Sequence, residues 1–131
     1  MIRGTTAQFK FKLPYAKTDI MLATIRFWQP NNPNGNLPII RSLDQEKLND
    51  CFVSDDSKEL CISLTSEETM RFSDKYKARV QLRAQHTDGT TFGSRPQIIT
   101  VYPMPDDIIE PTLPNANEEG WIILDGETVS P

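Results

Sequence analysis

Apolar and polar residues alternate along much of this chain, and the longest such run is Tyr76 to Gln85. Ala78, Val80, Leu82 and Ala84 take one set of alternate positions; Lys77, Arg79, Gln81, Arg83 and Gln85 take the other. A period of two sustained over this length predicts a strand buried on one face. Thr87-Asp88-Gly89-Thr90 follows, and Asp-Gly supplies the positive φ that a tight hairpin turn needs. The return arm breaks at Phe92-Gly93-Ser94-Arg95-Pro96 and resumes from Gln97 to Tyr102. Pro96 cannot donate to a ladder, so a bulge or an edge position is expected there.

Shorter runs precede this hairpin. Phe9, Phe11 and Leu13 alternate with Lys10 and Lys12, predicting a first strand ended by Pro14. Ile20 to Trp28 predicts the next, with Met21, Ala23, Ile25 and Phe27 on one face and Ile20, Leu22, Thr24, Arg26 and Trp28 on the other. Asn31-Asn32-Pro33-Asn34-Gly35-Asn36 is a dense turn signal and predicts an exposed loop. Leu37 to Arg41 predicts a short strand placed at an edge by Pro38, and Ser42 to Asn49 a helical turn of thin apolar content. Cys51-Phe52-Val53 and Glu59 to Leu64 read as paired strands. Thr65 with Glu68 three residues on fits a capping box, and Glu67 and Glu68 suit the helix dipole. One short helical turn crossing between sheets is expected there.

Short strands at roughly ten-residue spacing predict an all-β fold, an immunoglobulin-like β-sandwich, with a small barrel as the alternative. The Cys…Trp…Cys spacing of true immunoglobulin domains is absent, so the expectation concerns architecture alone. The predicted core is Phe9, Phe11, Ile25, Phe27, Leu60, Ile62, Leu64, Val80 and Leu82.

Charge divides the chain. Residues 1–102 hold all 14 Lys and Arg and 11 of the 18 acids, a net of +3. Residues 103–131 hold the other seven acids and no base, a net of −7. The sequence therefore predicts a sandwich domain over 1–102 and an acidic, Pro-rich C-terminal arm over 103–131. Composition of that kind buries too little apolar area to order itself. Within it, residues 120–126 are an exception: Trp121, Ile122, Ile123 and Leu124 form an apolar anchor between Gly120 and Gly126. Such a strand predicts addition to a sheet edge or groove, its own chain's or a neighbour's. No stretch approaches the roughly 20 apolar residues of a membrane span, and the start lacks the apolar core of a secretion signal.

Residues with catalytic chemistry are sparse. His86, the single histidine, sits beside the Asp88-Gly89 turn and reads as a solvated turn residue. Cys51 and Cys61 read as free thiols, with neither a CxxC spacing nor a nearby histidine to suggest a metal. The acid pairs Asp55/Asp56, Glu67/Glu68, Asp106/Asp107 and Glu118/Glu119 fall outside any calcium-loop pattern, and neighbours on a strand point to opposite faces. Phosphate-loop, Rossmann and zinc spacings are absent. No catalytic residue, cofactor or metal is predicted, and no enzyme. Lys77, Arg79, Arg83 and Arg95 form a basic stripe on the outer side of the hairpin. Four charges on a +3 body beside a −7 arm disfavour nucleic acid and suit an acidic tail instead.

Met1-Ile2-Arg3-Gly4-Thr5-Thr6 followed by Phe9-Lys10-Phe11-Lys12-Leu13-Pro14 resembles a family of small structural proteins of tailed bacteriophages and prophages. Leu64-Thr65-x-Glu67-Glu68-Thr69-x-x-Phe72, Val80-Gln81-Leu82-Arg83 and the Asp88-Gly89 turn carry the same resemblance, over about residues 1–102. The chain differs in Ala7, where proline is usual, in a longer Asn-rich loop and in its acidic arm. The resemblance implies a virion structural or accessory component of head, neck, tail or baseplate, made in the host bacterial cytoplasm. Its partners would be other virion proteins and further copies of itself in a symmetric assembly. Read from the residues themselves and apart from the resemblance, the apolar anchor Trp121, Ile122, Ile123 and Leu124 and the basic Arg79 and Arg83 are the candidate interaction residues. A receptor- or carbohydrate-binding module using Trp28, the Asn-rich loop and Tyr102 is the alternative.

Overall fold

The computed structural model describes residues 1–104 and the strand 121–125. Asp106/Asp107, Glu118/Glu119, Gly120 and Gly126 lie outside the described residues, as do the side chains of the anchor. The described residues form eight strands: β1 (Ala7–Lys12), β2 (Ile20–Trp28), β3 (Ile39–Leu43), β4 (Glu59–Leu64), β5 (Ala78–His86), β6 (Thr91–Gly93), β7 (Gln97–Ile99) and β8 (Trp121–Asp125). Among the described residues two four-residue helices, α1 (Gln45–Leu48) and α2 (Ser66–Thr69), interrupt them. One sheet has the order β4-β1-β8 and the other β3-β2-β5-β6, with β7 also paired to β5. The protein is an all-β sandwich, and the sheets do not close into a barrel.

The alternation explains why two sheets stack. Ala7, Phe9 and Phe11 on β1 lie opposite Leu64, Ile62 and Leu60 on β4. Ile25 and Phe27 on β2 lie opposite Leu82 and Val80 on β5. All of these are buried, and the nine predicted core residues are among them. Phe9 and Phe27 meet across the sandwich with ring centroids 4.9 Å apart, at a tilt of 55°. Each large side chain buried this way contributes about 1.5–3 kcal/mol relative to exposure.

Three local expectations need correction. Ile20 is buried and Met21 exposed, the reverse of the predicted faces, because a bulge between Ile20 and Leu22 resets the alternation. The strand predicted at Leu37–Arg41 forms two residues later, at Ile39–Leu43. Cys51-Phe52-Val53 is not a strand: backbone turns continue past α1 through Asp50 N–H to Lys47 O and Cys51 N–H to Leu48 O. Only Cys61 N–H reaches back, to Cys51 O at 2.8 Å, while the ladder of β4 is taken by β1.

Two of the places where the chain passes between sheets are tied to each other. Residues 1–3 run beside 100–102, with Arg3 N–H donating to Tyr102 O and Tyr102 N–H to Met1 O. The chain then crosses at Gly4, whose φ of +79° lies in the left-handed region that strains any residue with a side chain. The buried Thr69 hydroxyl pins this crossing, accepting from Gly4 N–H at 3.0 Å and donating to Thr5 O at 2.8 Å. Thr69 ends α2, which carries the chain from β4 to β5 and has the predicted capping box between Thr65 and Glu68. Glu68 also receives the Arg41 guanidinium from β3, tying α2 to the other sheet.

Two measurements follow from this packing. Val80→Asp places an unpaired charge in the core and should cost at least about 3 kcal/mol, read as a fall in melting temperature of more than about 10 °C. The hydrogen bond from Arg41, with the Thr65 contacts, holds the Glu68 carboxyl at about 2 against an ordinary 4.5. A depressed carboxyl stabilises the fold fully above its unfolded value and loses that contribution as pH falls towards about 2. Glu68→Gln keeps a capping acceptor but removes the charge. It should cost about 1–3 kcal/mol at pH 7 and flatten the acid limb of a stability profile between pH 4.5 and 2.

Candidate functional site

The site begins at the backbone of β1. One side of β1 is satisfied by antiparallel β4, which leaves a row of N–H and C=O groups on the other. β8 covers that row in parallel, with Gln8 level with Trp121, Phe9 with Ile122, Lys10 with Ile123, Phe11 with Leu124 and Lys12 with Asp125. The predicted anchor strand lies here on the edge of its own chain's sheet. Among the described elements β8 pairs with β1 alone. A strand at the edge of a sheet is the kind of element that opens first.

The predicted arginines lie elsewhere. Arg79 and Arg83 sit on β5 in the other sheet, so the structure does not bring them together with the anchor. Both occupy the face turned away from the core, where Arg79 is level with Trp28 and Arg83 with Thr24. Arg26 joins them from β2, level with Gln81 and stacked 4.9 Å over the Trp28 ring. Its place in the row was not legible from β5 alone, because it depends on how β2 and β5 are registered.

A bulge sharpens this face. β5 pairs Arg83 with Gly93 and Val80 with Gln97, so one extra residue lies between β6 and β7; there Ser94 N–H donates to Leu82 O at 2.9 Å, and its hydroxyl accepts from Leu82 N–H at 3.0 Å. Gly93 permits the close approach, since a Cβ there would stand 2.7 Å from Leu82 O. The distortion lies where Pro96 predicted it, and it opens a shallow groove of about 480 Å³ lined by Leu22, Gln81, Arg83, Gln85 and Arg95.

Residues with catalytic potential are engaged in local structure. Asp88 N–H donates to His86 Nδ1 at 3.1 Å, and the ring meets Tyr15 edge-on at 4.7 Å. Hydrogen bonds from Thr90 pull the Asp88 carboxyl below its ordinary value. Asp55 pairs with Lys17 at 2.6 Å, and Asp56 accepts from the Ser54 hydroxyl. Cys51 and Cys61 are free thiols, and burial pushes both upward in pKa, away from the reactive thiolate. Among the described residues no group of three His, Cys, Asp or Glu is placed to hold a metal ion, and no helix is long and apolar enough to cross a membrane.

The Asn-rich loop of the alternative binding reading has contacts of its own within the fold. Asn32 and Asn34 amides donate to Arg71 O, and Asn32 also donates to the buried Gln29, so the loop braces the fold. Tyr102 is bridged to Ile2, in a different segment from Trp28. No protein-family model matches the chain, and no curated protein matches it.

If β8 closes the edge of β1, truncation after Met104 should expose those β1 amides that point to β8. Hydrogen exchange over Ala7–Lys12 should then accelerate by about tenfold or more while β5 stays protected. Unchanged exchange in β1 would show that β8 does not cover it in solution.

Proposed function

We propose that this protein is a non-catalytic structural or accessory component of a tailed-bacteriophage virion, which assembles through its sheet surfaces and its C-terminal arm. The observation that carries this reading is the parallel addition of β8 to the edge of β1. A strand that joins a sheet after a long interval of sequence is the element that strand-exchange and arm-docking assemblies use. The same edge accepts a strand from its own chain or from a neighbour by identical backbone chemistry. Repetition in a symmetric particle multiplies a modest single affinity. The engaged state of His86, Asp55, Asp56 and Asp88 supports a role without catalysis. The resemblance over residues 1–102 supports the virion as the setting. The body is the folding unit in this reading, and the arm is the connector.

Assembly into particles tests this. The chain truncated after Tyr102 and the full chain carrying Ile122→Pro, which cannot donate at its ladder position, should both retain a cooperative melt. Incorporation of each into phage particles should fall by about tenfold or more. Normal incorporation of both would remove the arm from assembly.

A further inference from the structure

We infer that the outer face of the five-stranded sheet is a second docking surface, and that its occupant is the acidic segment 103–119 of a second copy of this chain. This deepens the assembly reading and rests on it. The sheet has an unusual charge pattern. None of its strands β2, β3, β5, β6 and β7 contains an Asp or Glu, whereas Arg26, Arg79 and Arg83 stand on its outer face and Arg95 at its bulge. Among the described residues Lys10, Lys17 and Arg41 have acidic partners, and these four arginines have no ion pair. Arginine presents a planar, weakly hydrated fork that matches carboxylates.

The face is amphipathic as well as basic. Leu22, Ile40 and Ile98 are 44%, 53% and 57% exposed on it. The arm has the complementary order: Asp106-Asp107-Ile108-Ile109-Glu110 sets two apolar residues between three acids. Arg79 and Arg83, four residues apart on one strand, are separated by about 13 Å along it, the span of a four-residue extended segment.

The arm's own attachment points to a neighbour as donor. The arm leaves after β7, with Tyr102 bridged to Ile2 and Met104 beside Gly4, and its far end is held at β8, where Trp121 is level with Gln8 of β1. β1 belongs to the opposite layer from the arginines. A second copy presents the same arm without that tether and can lay it along the arginine row, while its β8 stays on its own β1.

The test uses the purified full chain and a fluorescein-labelled synthetic peptide of residues 103–119. Anisotropy should show saturable binding that weakens about tenfold between low salt and ~0.5 M NaCl. Affinity should fall about fivefold or more in Arg79→Ala/Arg83→Ala, whose melting temperature checks folding, and vanish for a peptide with its acids replaced by amides. Equal binding to wild type and variant, or none to either, overturns the site. A charge-matched oligonucleotide that binds more tightly than the peptide overturns the choice of occupant. In mixed light and heavy isotope-labelled Arg83→Lys copies, carbodiimide cross-links from position 83 to the arm should join the two labels. Cross-links confined to one label would place the arm in its own chain and overturn the second copy. These readouts come from the purified chain, so their failure leaves the particle-incorporation test standing on its own result.

Discussion

The contact between Phe9 and Phe27 is the constraint on which the sandwich depends. Each ring comes from an inner strand of its sheet, and each is fully buried. Around them the inward residues of β1, β4, β2 and β5 form one continuous core. The outward residues of the same strands are therefore fixed by parity, since successive side chains on a strand point to opposite faces. Burying Val80 and Leu82 commits Arg79, Gln81 and Arg83 to the outside. The arginine face is thus a by-product of core packing, and its position cannot drift without moving core residues to water.

Parity alone does not hold two sheets in place; the crossings do. Thr69 joins the end of α2 to the Gly4 crossing through one buried hydroxyl that both accepts and donates. Arg41 and Glu68 join α2 to β3, so one short helix is tied to both layers. Gln29 plays a similar part at another loop, donating to Ser73 O and Tyr76 O and accepting from Ser73 N–H. A buried polar side chain that satisfies several backbone groups at once makes an irregular loop tolerable in the interior.

The two candidate surfaces differ in physical character. The β1 edge offers directional backbone hydrogen bonds, which are insensitive to side-chain charge and strongly dependent on register. The outer face of the other sheet offers arginines and scattered apolar side chains, which attract at a distance and weaken with salt. An assembly that uses both gains steering from one and fixed geometry from the other.

Much of the fold was legible in the sequence because its signals are local. The alternation of Ala78 to Ala84, the Asp88-Gly89 turn, the Thr65–Glu68 capping box and the distortion before Pro96 each depend on residues within a few positions of one another. The bulge at Ile20 was not legible, since Ile20 and Met21 are both apolar and either satisfies a core face. The pairing of β4 with β1 rather than with Cys51–Val53 was not legible either, because ladder partners compete across the whole chain. The sequence by itself determined most of the strands, which side of each is apolar away from the bulge at Ile20, and where the charge turns acidic after Tyr102. Tertiary structure alone decided that β8 returns to β1 and that Arg26 joins Arg79 and Arg83 on the opposite layer. Local pattern fixes the face of a strand, whereas partner and layer follow from long-range register, which no short window of sequence contains.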